Sequence, residues 1–161
     1  SPKQTGSISY TLSQSEQLFP GLESLSFFGP DDERHRLKVV ESVNVYRGLN
    51  VAATFWYGSG RPYTPGLAID SVLLASGLTV DRMLFGSTNT GRLPRYQRLD
   101  LAAQESFTLF GIRSTIGATA YNVLDRANVG YYTYQTFGGL ATRAPVAYLP
   151  RAFNAFLKVG F

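Results

Sequence analysis

The 161-residue sequence predicts an all-β protein: about six antiparallel, up-and-down strands of the kind that wall a transmembrane β-barrel. Three observations predict it. Apolar and polar residues alternate at period two over six segments, whereas helical spacing is scarce. The connections between these segments alternate strictly between long and short. Aromatic residues make up 14% of the chain and gather toward the segment ends.

The first alternating segment covers residues 6–14, with Ile8, Tyr10 and Leu12 set against Ser7, Ser9, Thr11 and Ser13. The second, 36–47, sets Leu37, Val39, Val43 and Val45 against Lys38, Val40, Ser42 and Asn44, with Glu41 as a defect on the apolar parity. The third, 50–64, carries Val51, Ala53, Phe55 and Tyr57 on one parity. The fourth, 96–109, sets Leu99, Leu101, Ala103, Phe107 and Leu109 against Arg98, Asp100, Gln104 and Thr108, with Glu105 as a second defect. The fifth, 112–124, has Ala, Thr or Gly on both parities, so its facing stays open and a bulge is allowed. The sixth closes the chain: Phe153, Ala155, Leu157, Val159 and Phe161 alternate with Asn154, Phe156, Lys158 and Gly160.

"RGLN" at 47–50 and "FG" at 110–111 read as tight hairpin turns. The other links, 19–34, 65–95 and 126–150, are long. In a meander every second turn lies at the same end, so the short turns share one end and the long loops the other. Outer-membrane barrels have that asymmetry, with short periplasmic turns and long extracellular loops. It places the C-terminus on the periplasmic side. Phe107, Phe110 and Phe161 then mark one interface, and Tyr57, Tyr63, Tyr96 and Phe153 the other. Arg98, Asp100, Gln104, Asn154 and Lys158 share the polar parity and are expected to face the lumen. A soluble barrel or sandwich also puts polar residues on one face, so that alternative stays open. Six strands do not close a membrane barrel, which needs at least about eight. Further strands or further chains are therefore expected.

Composition narrows the rest. The longest apolar runs, such as 72–75, fall far short of the roughly 20 residues of a spanning helix. Cysteine is absent, which removes disulfide and thiolate-metal frameworks. The net charge of +4 rests on scattered arginines, a poor basis for binding nucleic acid. With one histidine and no cysteine the usual nucleophile–base pairs are lacking, and no enzyme activity or cofactor is expected. His35 reads as a rim residue. Asp31, Asp32 and Glu33 lack the ligand spacing of a calcium loop. The opening "SPKQTGSISY" reads as the start of a strand rather than as a secretory leader, as expected of a mature protein or a piece of a longer one.

In "YGSGRPYTPG" (57–66), Gly58 and Gly60 allow irregular backbone at a strand exit, while Pro62 and Pro65 end pairing. Arg61 there either faces the mouth of the lumen or braces the loop. A weak helical stripe, Ile69, Val72 and Leu73, in 68–85 allows a short helix or an extra hairpin. The loop "GYYTYQTFGG" (130–139) offers Tyr131, Tyr132, Tyr134 and Phe137 which, with Arg61 and Tyr63, are candidate ligand contacts; packing is the plainer use.

Several pieces resemble the late barrel strands of TonB-dependent outer-membrane receptors of the Bacteroidota-like type. They are "SYTLSQSEQLF" (9–19), "DDERHRL" (31–37), "FWYGSGRPYTP" (55–65), "RLPRYQRLDLAAQESF" (92–107), "ATAYNVLDRANV" (118–129) and "LPRAFNAFLKVGF" (149–161), in this order. The resemblance implies the final part of a 22-stranded barrel, with residues 1–161 as its C-terminal portion and with neither plug domain nor signal peptide in this chain. It implies an outer-membrane location and energised uptake of a scarce nutrient such as a siderophore, cobalamin, glycan or peptide. The implied partners are the remaining barrel and plug, TonB acting through the plug-bearing part, the barrel-assembly machinery, outer-membrane lipid and a surface lipoprotein. Phe153, Ala155, Leu157, Val159 and Phe161 would be the assembly signal. A passive or structural barrel assembled from several chains, and a soluble β-rich binding module, are the other readings carried forward.

Overall fold

The computed structural model describes residues 3–21, 25–137 and 140–160. In chain order the strands are β1 (Gln4–Leu12), β2 (Glu16–Gln17), β3 (Phe27–Phe28), β4 (His35–Tyr46) and β5 (Leu49–Gly58). Next come β6 (Pro62–Tyr63), β7 (Gly66–Leu73), β8 (Thr79–Phe85), β9 (Gly91–Arg92) and β10 (Tyr96–Leu109). The last four are β11 (Ile112–Tyr121), β12 (Val129–Phe137), β13 (Leu140–Ala147) and β14 (Ala152–Val159). The fold is all-β, and every paired strand runs antiparallel to its neighbour.

Six strands form one sheet in the order β1-β4-β5-β10-β11-β14, and these correspond to the six alternating segments. The sheet is an open meander: among the described residues β1 pairs only with β4, and β14 only with β11. The other eight strands form four two-stranded ladders between the main strands. Two segments are shorter than expected. The third strand stops at Gly58 and the fifth at Tyr121. Pro62 does not end pairing. It sits in a two-residue ladder opposite Arg92, and a proline fits so short a ladder because few donors are required of it. The 68–85 stripe is a hairpin of β7 and β8 rather than a helix.

The register shows what each face carries. One row across the sheet reads Ile8, Val39, Phe55, Leu99. The next reads Gly6, Glu41, Ala53, Leu101, Ala120, Phe153, and the one after it Gln4, Val43, Val51, Ala103, Ala118, Ala155. This face is apolar from edge to edge, apart from a few polar residues that include Glu41 and Glu105. The Glu41 carboxylate lies over the space left by Gly6. The opposite face carries the rows Ser9, Lys38, Trp56, Arg98 and Thr5, Ser42, Ala52, Ala102, Thr119, Asn154. It also holds Asp100, Gln104 and Lys158. The parity of the fifth strand is thereby resolved: Ile112, Ile116, Ala118 and Ala120 join the apolar face, and Arg113, Thr115, Gly117 and Thr119 the polar one. Val40, Trp56 and Phe156 are apolar side chains on the polar face, the Phe156 ring covering Gly117.

Neither face is buried against a second layer. Among the described residues only Leu93 and Pro62 are buried apolar side chains, while Ile8 and Phe153 are both 76% exposed. The chain exposes 11426 Å². A folded soluble monomer of its mass would expose about 8,000 Å².

At the short-turn end, Phe110 (φ 50°) and Gly111 (φ 79°) turn β10 into β11 with positive φ at both central positions, as a type I′ hairpin requires. Gly111 meets that demand freely, whereas Phe110 adopts it against its own preference. The side chain of Phe110 is 94% exposed.

Candidate functional site

The polar face and the long loops meet where β4, β5 and β10 emerge at the long-loop end. There Lys38, Trp56 and Arg98 lie side by side on three neighbouring strands. The Lys38 ammonium stands 4.3 Å from the Trp56 ring centroid, a cation–π contact. Arg98 grips Asp100 through two bonds, Nε to Oδ1 and Nη2 to Oδ2, both 2.7 Å. Alternate residues of one strand project to the same side, so this i, i+2 pair is a direct result of the pleat. One turn nearer the loops lie Arg36 and Tyr96, both opposite Gly58.

Loop residues roof this area and leave a cleft of about 520 Å³. Arg36, Trp56, Tyr96 and Arg98 line its floor. Glu33, Arg61 and Tyr148 line the rim, and Tyr148 meets Tyr96 edge-to-face at 6.0 Å. Gly60 (φ 95°) makes the strand exit sharp enough to shape the rim. Any Cβ there would stand 2.1 Å from the Leu93 carbonyl oxygen.

The acidic run holds the loops in place with arginines. Asp31 pairs with Arg61 at 3.2 Å, and Glu33 with Arg36 Nε at 2.8 Å. Asp32, 1% exposed, takes the Ser15 amide at 2.7 Å and the Arg92 guanidinium. Arg92 also donates to the Asp32 carbonyl at 2.7 Å and stacks over Phe28 at 4.6 Å. Burial pushes the Asp32 carboxyl up, but hydrogen bonds from Arg92 and the Ser15 amide outweigh it and hold the group below the ordinary carboxylate range. Donors on Ser26 and Gln14 likewise lower Glu16 in the same loop. Among the described residues no group of three or more His, Asp or Glu side chains is placed to hold a metal ion.

"YNVLDRAN" is a second brace. Asn128 Oδ1 accepts from the Gln97 amide and Asn128 Nδ2 donates to the Gln97 carbonyl, both at 2.8 Å. The side chain thus replaces a strand neighbour for β10. Asn122, 0% exposed and at φ 49°, donates through Nδ2 to the Arg126 and Leu149 carbonyls. Its own amide donates to Asp100 Oδ1 at 2.9 Å, tying this brace to the Arg98–Asp100 pair. Sequence reasoning did not select Asn122 or Asn128. The available signal was two asparagines and an aspartate at a strand exit, residue types that tolerate left-handed backbone and bond locally to it.

The structure distributes the remaining candidates as follows. Arg61 lies on the cleft rim, held by Asp31. Tyr63 and Tyr132 pack at 4.9 Å, and Arg143 joins them, 4.3 Å from the Tyr132 centroid and donating to the Tyr63 hydroxyl at 3.0 Å. Tyr134 meets Phe85 edge-to-face at 5.7 Å, which joins the hairpin β12–β13 to the hairpin β7–β8. Tyr131 is exposed. Phe137 ends β12, and its side chain lies outside the described residues, as does Phe161. His35 receives or donates a 2.8 Å bond with the Tyr10 hydroxyl at the sheet rim. Arg98, Asp100, Gln104, Asn154 and Lys158 all lie on the polar face, and only Arg98 among them lines the cleft.

Comparison with protein-family models, curated proteins and solved structures finds no match.

Proposed function

We propose that this chain is the C-terminal wall of a TonB-dependent outer-membrane receptor that imports a scarce nutrient: a siderophore, cobalamin, glycan or peptide. The apolar face meets lipid, the polar face lines the lumen, the long-loop end is extracellular, and the C-terminus is periplasmic. The remaining barrel strands and the plug complete the receptor, and TonB acts through the plug-bearing part.

The carrying observation is the two-faced sheet without a core. A soluble domain of this length would bury a large apolar cluster, whereas here the apolar face is continuous and uncovered. The six strands have nine, twelve, ten, fourteen, ten and eight described residues. That range surrounds the roughly 9–11 residues with which a tilted strand crosses a bilayer. The unpaired edges of β1 and β14 fit a wall awaiting its neighbours. A barrel built from several copies of one short chain would use the same two edges, and the mass of the detergent-extracted complex separates the two readings.

Cysteine alternation tests the assignment, since the chain carries no cysteine of its own. Single cysteines at Leu101, Ala103 and Ala155 should resist a charged maleimide and be quenched by lipid-borne spin labels. Those at Ala102, Gln104 and Asn154 should show the reverse. Uniform labelling along β10, or recovery of the native protein in the soluble fraction, would sink the reading.

A further inference from the structure

The charges on the sheet are divided by face. On the polar face the six strands carry Arg36, Lys38, Arg98, Arg113 and Lys158 against a single acid, Asp100. The acids Glu41 and Glu105 lie on the apolar face. Among the described residues no carboxylate pairs with Lys38, whose partner is the Trp56 ring. Arg36 meets Glu33 through Nε alone, leaving its two terminal amino groups available as donors. The rim pair Arg61–Asp31 is exposed at both ends and is readily exchanged for another anion. Of these, Arg36, Arg61 and Arg98 line one cleft that also presents the rings of Trp56, Tyr96 and Tyr148, while Lys38 stands against the Trp56 ring. Its volume lies within the roughly 300–1,000 Å³ of small-molecule sites.

We infer that this cleft takes an anionic solute built on a flat unsaturated ring: the ring against Trp56, Tyr96 and Tyr148, the anionic group on the donors of Arg36 and Arg61, with the Lys38 ammonium beside Trp56 adding its charge. A neutral sugar or peptide would gain the aromatic contacts and leave unused the terminal donors of Arg36, the exchangeable Arg61 and the Lys38 ammonium beside Trp56. A simple anion would gain the cations and leave the rings bare. This rests on the receptor reading in one respect: the polar face opens to the extracellular mouth.

The test uses the complete receptor purified in detergent, with 2-naphthoate as probe read by its own fluorescence anisotropy. 2-Naphthamide keeps the ring and lacks the charge, while acetate keeps the charge and lacks the ring. Naphthoate should bind about tenfold or more tightly than naphthamide, and acetate should fail to displace it, because each partner alone supplies only part of a cation–π and charge-assisted set. Lys38→Gln should weaken naphthoate several-fold and leave naphthamide unchanged. Trp56→Leu should weaken both. Arg82→Gln, which alters an ion pair on the β7–β8 hairpin, should change neither. Heat-modifiable gel migration of each variant reports that it is folded. Equal affinity for naphthoate and naphthamide, or naphthoate binding indifferent to Trp56→Leu, overturns the inference. So does the outcome in which naphthoate fails to bind while Lys38→Gln loosens the plug, since the basic wall then serves an acidic protein surface. Fractionation of the same cells reads the receptor assignment separately: naphthoate binding by protein recovered from the cytosol or periplasm would sink that assignment and leave the cleft intact.

Discussion

Asp32 shows how one buried carboxylate organises a loop. It holds the amide of Ser15 and the guanidinium of Arg92, which also reaches the Asp32 carbonyl, so Ser15 and Asp32 are both tied to β9. The folded-state pKa is depressed, so this contribution is fully present above the ordinary carboxylate pKa of about 4. It is lost as pH falls through the lowered value. Hydrogen exchange at the Ser15 amide should therefore stay slow at pH 5 and accelerate relative to strand amides only as the pH falls through the lowered value, whereas Asp32→Asn should show fast exchange at every pH. Phe110 gives a second prediction. Its left-handed backbone costs about 1 kcal/mol that asparagine or glycine avoids. Phe110→Asn should raise the unfolding midpoint modestly, provided that the exposed ring contributes little as an interfacial anchor. A lowered midpoint in lipid combined with a raised one in detergent would identify the ring as such an anchor.

At the scale of elements, the two long hairpins depend on each other. Tyr134 on β12 packs on Phe85 of β8 and lies so close to Gly66 of β7 that any Cβ there would be 2.7 Å from its ring. Tyr134→Ala should release the β7–β8 hairpin. The expected result is faster tryptic cleavage at Arg82, with the six-stranded sheet still resistant. Unchanged cleavage would mean that the hairpin stands by its own cross-strand pairs, Asp70 with Arg82 and Ser71 with Asp81. Those pairs also explain why 68–85 was ambiguous as sequence. Periodicity registers where apolar residues recur, and Ile69, Val72 and Leu73 fit a helix. The pairing of residue 70 with 82 is visible only once Gly77 (φ 82°) has reversed the chain. The short ladders β2–β3 and β6–β9 were illegible for the same reason: two residues are too few to show a period. The cleft floor was partly legible, since Arg98 and Asp100 share a parity. Its rim was not, because Glu33, Arg61 and Tyr148 come from three separate connections.

For the whole molecule, the faces decide which substitutions are tolerated. Leu101 and Ala102 are adjacent in β10 yet project to opposite sides. Under the receptor reading, Leu101→Arg places a charge in lipid at a cost of about 2–4 kcal/mol near mid-bilayer, while Ala102→Arg places it in a polar lumen. Leu101→Arg should lower the yield of inserted receptor, measured by heat-modifiable migration in outer-membrane fractions, and Ala102→Arg should leave it near wild type. Equal yields would argue against lipid on the apolar face. By itself, the sequence determined the six main strands, their antiparallel order and the two-ended arrangement of turns and loops. Those follow from local alternation and turn chemistry, which neighbouring residues carry. Tertiary structure alone decided the facing of β11, the hairpins inside the long loops, the arginine and asparagine braces, and the cleft at the strand ends. Each of these depends on which distant residues are brought into register, and β11 shows the reason most clearly: with small residues on both parities it has no facing of its own until Gln104, Ala103 and their neighbours on β10 impose one.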